Sequence, residues 1–355
     1  LTASLFLAEH RHSGGGRVIT LKRRAWSMPA LSLLLVLPPC MVYAASSLFS
    51  ADFGNPAGWF PQPWLQNGAA EAAGRTKAIA AFLLFTGMAI GALVIWVSSF
   101  RLLDRRSAAR LLIAYLLTVG AGSLAVYETR AFDGAPYLDQ AFACASLNRL
   151  DPTPQEQQAD AVRSPDRMTR LSGNRLDRVE NCRAPQFQAL RWMISVSAGL
   201  LLFGMPGMIF GAITCLAAPT TGSTKPRLDA WALQTRRLNA FLYLTATYMV
   251  SGLLFANAQL SWIGYSLHPD DLGPYRAYVG AIVLHSGISN SLMIASYYLP
   301  VALWLAAIRP PQPSPAAADS RSAEAEAPNP FGPLKIAGTI LAPALVGFLG
   351  ELLKL

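Results

Sequence analysis

His285, Ser289 and Ser296 recur at i, i+4 and i+11, a spacing that lines one face of a helix, with Ser286 and Asn290 adjacent. Asn257 and Gln259 end the preceding apolar stretch at a similar expected depth. These residues define a candidate intramembrane polar pocket: Asn257, Gln259, His285, Ser286, Ser289 and Asn290. Amides, hydroxyls and a neutral imidazole in one place would bind a small neutral or amphiphilic solute by hydrogen bonding. The same residue types also tie packed membrane helices together, and on general grounds that use has the stronger claim.

Catalytic chemistry finds less support. A serine hydrolase needs a base that reaches the nucleophile, and His285 shares its helix with the candidate serines, of which Ser289 at i+4 is the one it could face. Haem held between helices wants two axial histidines; His285 has no intramembrane companion, since His268 falls in a connection. HExxH, CxxC, P-loop and GxGxxG patterns are absent. No catalytic residue, cofactor ligand or metal ligand is assigned, no cofactor is expected, and the balance leans against an enzyme without deciding it. The motifs carry no family resemblance.

Charge placement narrows the reading further. No candidate span has Asp, Glu, Lys or Arg near its centre; Glu128 and Arg191 sit at span ends. Ion-coupled transporters and voltage sensors rely on such buried charges, so the sequence argues against them.

The elements that must position these residues follow from composition. Of the 355 residues, 53% are hydrophobic and only 14% charged, with mean hydropathy +0.34, well below the roughly 25% charge of soluble domains. The apolar residues come in blocks near the ~20 residues that a bilayer core requires. Spans are expected over 28–48, 78–100, 111–127, 192–217, 238–259 and 277–308. The fold class is therefore all-α: a polytopic transmembrane helix bundle of six spans, with a seventh open, and a small extracytoplasmic loop region.

The basic residues set the orientation. Arg17, Lys22, Arg23 and Arg24 precede the first span, Arg101, Arg105, Arg106 and Arg110 fill the second connection, and Lys225, Arg227, Arg236 and Arg237 the fourth. Alternating spans place all three on one side, the cytoplasm, with the N-terminus. The net charge of +9 is thus a topology signal, and no nucleic-acid partner is expected. An excess of Arg over Lys, with abundant Ala, Gly and Pro, suggests a GC-rich bacterial genome and hence a bacterial inner membrane.

The resulting organisation has six parts. Residues 1–27 are a basic cytoplasmic segment; with no Met before Met28, they are expected to come from a non-standard translation start. Residues 28–127 hold spans one to three, and 128–190 a periplasmic loop region in which an oxidising compartment would join Cys144 to Cys182 as a disulfide. Residues 191–308 hold spans four to six, 309–330 a disordered Pro- and Ala-rich linker, and 331–355 a last apolar run. Cys40 and Cys215 fall within spans, as buried small apolar residues.

Several segments admit two readings. The first span is either an anchor or a signal peptide cleaved after Val42-Tyr43-Ala44; continuation of the apolar run to Phe49 favours the anchor. The outward segment 50–77, with Phe53, Trp59, Phe60 and Trp64, is expected to lie along the lipid headgroups. Helix is expected to begin just after Pro226 and to run into the fifth span. A kink is expected at Pro206, and the long sixth span is expected to tilt, to kink at Pro300 or to project beyond one face. The run 331–355 is either a seventh span or an amphipathic helix on the cytoplasmic leaflet, and Glu351 and Pro343 favour the surface helix. Gly87/Gly91 and Gly207/Gly211 form GxxxG pairs that suit close helix approach within the chain or in a homo-oligomer.

Two function classes result. One is a sensor, scaffold or accessory subunit that meets a protein partner through 128–190 or the C-terminal segment. The other is a transporter or channel for a small neutral or amphiphilic solute. An intramembrane enzyme ranks third.

Overall fold

In hydrocarbon every backbone N–H and C=O must be satisfied within the chain, and long apolar runs therefore become helices. A computed structural model describes residues 36–42, 68–100, 103, 105–133, 185–216, 224–265, 267, 269–307 and 332–352. A short helical stretch at 36–42 is followed by α1 (Gly68–Phe100), α2 (Arg105–Asp133), α3 (Pro185–Thr214), α4 (Thr224–Gly264), α5 (Pro269–Ala307) and α6 (Gly332–Leu352). Four of these, α1, α3, α4 and α5, are long and apolar enough to cross a membrane; α2 and α6 contain shorter apolar stretches. The chain is a helical, multi-pass membrane bundle. The Cys144–Cys182 pair, the linker 309–330 and most of the first span lie outside the described residues.

The helices outrun the apolar blocks that announce them. Helix α1 begins ten residues before the expected span, because Ala69, Ala70, Ala72 and Ala73 favour helix and Glu71 sits in the first turn, where the dipole favours an acid. The segment expected along the headgroups thus yields its last ten residues to α1. Helix α4 starts at Thr224, taking Pro226 into its first turn, where a missing N–H leaves no broken bond. Its 41 residues, at 1.5 Å each, reach about 60 Å, twice the hydrocarbon thickness. Helices α3 and α5 continue through Pro206 and Pro300.

Neighbouring contacts fix the helix directions. Phe85 of α1 stacks on Tyr248 (5.1 Å, 20°) and Phe255 (6.2 Å, 7°) of α4, while Glu71 at the start of α1 meets Trp262 near the end of α4, so this pair is antiparallel. Tyr248 donates to the Leu200 carbonyl of α3 (2.8 Å), and Phe241 lies against Gly211, again antiparallel. Trp231 donates to the Leu305 carbonyl (2.8 Å) and Tyr275 to that of Leu260 (2.9 Å), pinning α4 to α5 at both ends. Phe82 packs edge-on against Trp192 and Trp96 lies over Gly207, so α1 and α3 run parallel. Tyr115 of α2 donates to the Phe203 carbonyl of α3 (3.1 Å) and packs on Trp96.

Large apolar side chains such as Leu83, Val94, Leu117 and Leu303 stand more than 60% exposed, an outer surface suited to lipid rather than water. Of the two GxxxG pairs, Gly207 and Gly211 admit aromatic rings from α1 and α4, whereas a Cβ on Gly87 or Gly91 would meet no described atom. Cys215 is buried, and Cys40 is exposed.

Helix α6 lies antiparallel along α5. Its backbone approaches so closely that a Cβ on Gly287 would stand 2.5 Å from the Pro343 carbonyl oxygen, and one on Gly347 2.9 Å from that of Val283. Pro343 lacks an N–H and disturbs the helical ladder around it. The next amide, that of Ala344, donates to Ser291 Oγ (3.1 Å). Glycine admits the backbone; serine meets the amide beside the proline.

Candidate functional site

The six residues of the expected polar pocket divide among four faces, two on α4 and two on α5. Asn257 and Gln259 are two positions apart on α4, about 200° around a helix that turns about 100° per residue. Gln259 shares its face with Phe255 and Trp262, which touch α1, and Asn257 lies on the opposite side. On α5, the ridge that meets α6 runs through Gly287 and Ser291. His285 and Ser289 lie about 160° from that ridge, while Ser286 and Asn290 both lie to one side of it, about 80–120° away. All six are partly buried. Gln259 Oε1 is buried with no hydrogen-bond partner among the described residues.

Serine and threonine hydroxyls within the helices are largely taken up by their own backbones. Ser296 donates to the Met293 carbonyl (2.7 Å), Thr245 to that of Phe241 (2.7 Å) and Ser251 to that of Tyr248 (2.8 Å). A hydroxyl bound one turn back presents carbon to its neighbours. These positions pack as small apolar groups.

A polar cluster that the sequence did not reveal joins the start of α1 to the end of α4. Glu71, 5% exposed, accepts a hydrogen bond from the fully buried Trp262 indole N–H (3.0 Å), and Arg75 Nε stands 3.8 Å from the same carboxylate oxygen. One turn on, Gly74 makes room for the Tyr265 ring, whose hydroxyl accepts from Lys77 Nζ (3.5 Å). The carboxylate is held by a neutral indole donor and a half-exposed guanidinium, an arrangement that fixes two helix ends together. The signal was available in the Glu71/Arg75 i,i+4 pair on an Ala-rich run, but assigning 50–77 to the headgroup region hid it.

A third feature is an open groove between α4 and α6, with a volume of about 460 Å³. Tyr243, Thr247 and Val250 form one wall; Lys335, Gly338 and Ala342 form the other. Among the described residues, no three His, Cys, Asp or Glu side chains come together as a metal ion would require. No protein-family model matches the chain, and no curated protein or solved structure is significantly similar to it.

Proposed function

We propose that the chain is a non-enzymatic membrane scaffold, sensor or accessory subunit of a bacterial inner membrane. In this reading the bundle holds the 128–190 region on the periplasmic side and the linker 309–330 in the cytoplasm. The observation that carries it is how the polar side chains of the bundle are employed. The Tyr115, Tyr248 and Tyr275 hydroxyls and the Trp231 indole each cap a carbonyl of a neighbouring helix or turn, and Tyr298 donates to Asn239 (2.9 Å). Such bonds lock helices in one arrangement, which suits a platform better than an alternating-access carrier. The same reading takes α6 as a further membrane-embedded helix, since it follows α5 past that helix's midpoint, from Ser291 to Val283.

The test is site-specific photo-crosslinking in living cells, with probes distributed over 131–183 and along α6. Capture of one recurring protein at adjacent probe sites supports the proposal; uniform lipid adducts with no protein capture would sink it. A second reading, passage of a small neutral or amphiphilic solute, is favoured by the Gln259 amide oxygen, which has no partner among the described residues and would accept a hydrogen bond from such a solute. Proteoliposome swelling with neutral solutes, compared between the parent and Gln259→Leu, decides it: identical permeability to protein-free vesicles removes the reading.

A further inference from the structure

The α4–α6 groove is held open by an asymmetry in how α6 docks. Backbone contacts at Gly287 and Gly347 bind α6 to α5, yet on the other flank a Cβ added to Gly338 would have no described atom within 4 Å. Gly costs a helix interior about 1 kcal/mol relative to Ala, and no packing contact with a described residue explains its presence here. The threonines of the groove are turned into their own helices: Thr247 Oγ1 donates to the Tyr243 carbonyl (2.8 Å) and Thr339 Oγ1 to that of Lys335 (2.7 Å). With Val250 and Ala342, they leave walls that are apolar over the two turns from Tyr243 to Val250, about 10 Å.

One end of this trough differs. Lys335, exposed in the first turn of α6, lines the same groove as Tyr243 and has no ion-pair partner among the described residues. Arg236 and Arg237 lie about 10 Å further back along α4, in the direction of the same end. An apolar trough on a membrane-facing surface, ending at an ammonium with no described acidic partner near two arginines, complements a ligand with an acyl chain and an anionic head. The 460 Å³ volume falls within the range of about 300–1,000 Å³ typical of ligand clefts. We propose that this groove binds one acyl chain of an anionic phospholipid, with its phosphate paired to Lys335.

Native mass spectrometry of the full chain tests this. The protein is reconstituted into vesicles of equal phosphatidylglycerol and phosphatidylcholine and then extracted in mild detergent. A single retained phosphatidylglycerol is expected, preferred about fivefold over phosphatidylcholine, the preference a single basic residue near an anionic lipid supports. Lys335→Gln, a change at an exposed position, should erase the preference while leaving weak retention of either lipid. Gly338→Leu fills the trough from open space and should abolish retention with an unchanged melting temperature. Equal retention of both lipids by the parent chain, or undiminished retention in either variant, overturns the proposal.

Discussion

The two flanks of α6 show opposite ways of using a glycine. Toward α5, Gly287 and Gly347 remove side chains so that two backbones touch, and Ser291 meets the amide beside Pro343. Toward α4, Gly338 removes a side chain and no described atom takes its place. Residue type alone is the same on both flanks. The lesson is that a small residue in a membrane helix marks either a contact or a vacancy, and only the partner helix distinguishes them.

The contrast can be broken most forcefully at Gly287. Gly287→Ala places a methyl 2.5 Å from a backbone oxygen that cannot rotate away, and should cost roughly 1–3 kcal/mol through forced separation of α5 and α6. A thermal melt in detergent, with cysteine crosslinking between the two helices, would record it; an unchanged melt would mean that α6 is not docked there. Next in size is Glu71→Leu, which leaves the Trp262 indole buried without an acceptor and should cost about 1–3 kcal/mol, whereas Glu71→Gln retains an acceptor and should cost less. Both are read by the same melt, and equal losses would show that charge, not the indole bond, matters at that end of α1.

Ser291→Ala is expected to cost about 1 kcal/mol, in the range of measured hydrogen bonds between membrane helices. Increased hydrogen exchange at the Ala344 amide would be its local signature, and unaltered exchange would remove Ser291 from the docking account. Gly338→Ala sharpens the comparison by its sign. With nothing to strike and a better helix former in place, it should leave stability unchanged or raise it by up to about 1 kcal/mol. A loss comparable to that at Gly287 would erase the distinction between the flanks.

Much of the bundle was legible in the chain. Hydropathy located the blocks of α1, α3, α4 and α5, since apolar length is a local property that a bilayer reads directly. The start of α1 at Gly68 was missed, because helix persists beyond the hydrocarbon wherever alanine and a well-placed acid allow it. The extension of α4 back to the neighbourhood of Pro226, by contrast, was legible. The polar set on α4 and α5 was grouped by depth along the helices. Rotation separated it, with Gln259 toward α1 and Asn257 away.

By itself, then, the sequence determined that this protein is a helical membrane bundle with almost no charge within its spans. Tertiary structure alone decided that Glu71 meets Trp262 from 191 residues away, that Ser291 accepts the Ala344 amide, and that no described atom packs against Gly338. The physical reason is one of range. Burial in lipid depends on a residue's own transfer free energy, whereas a contact depends on which face of a distant helix arrives opposite it.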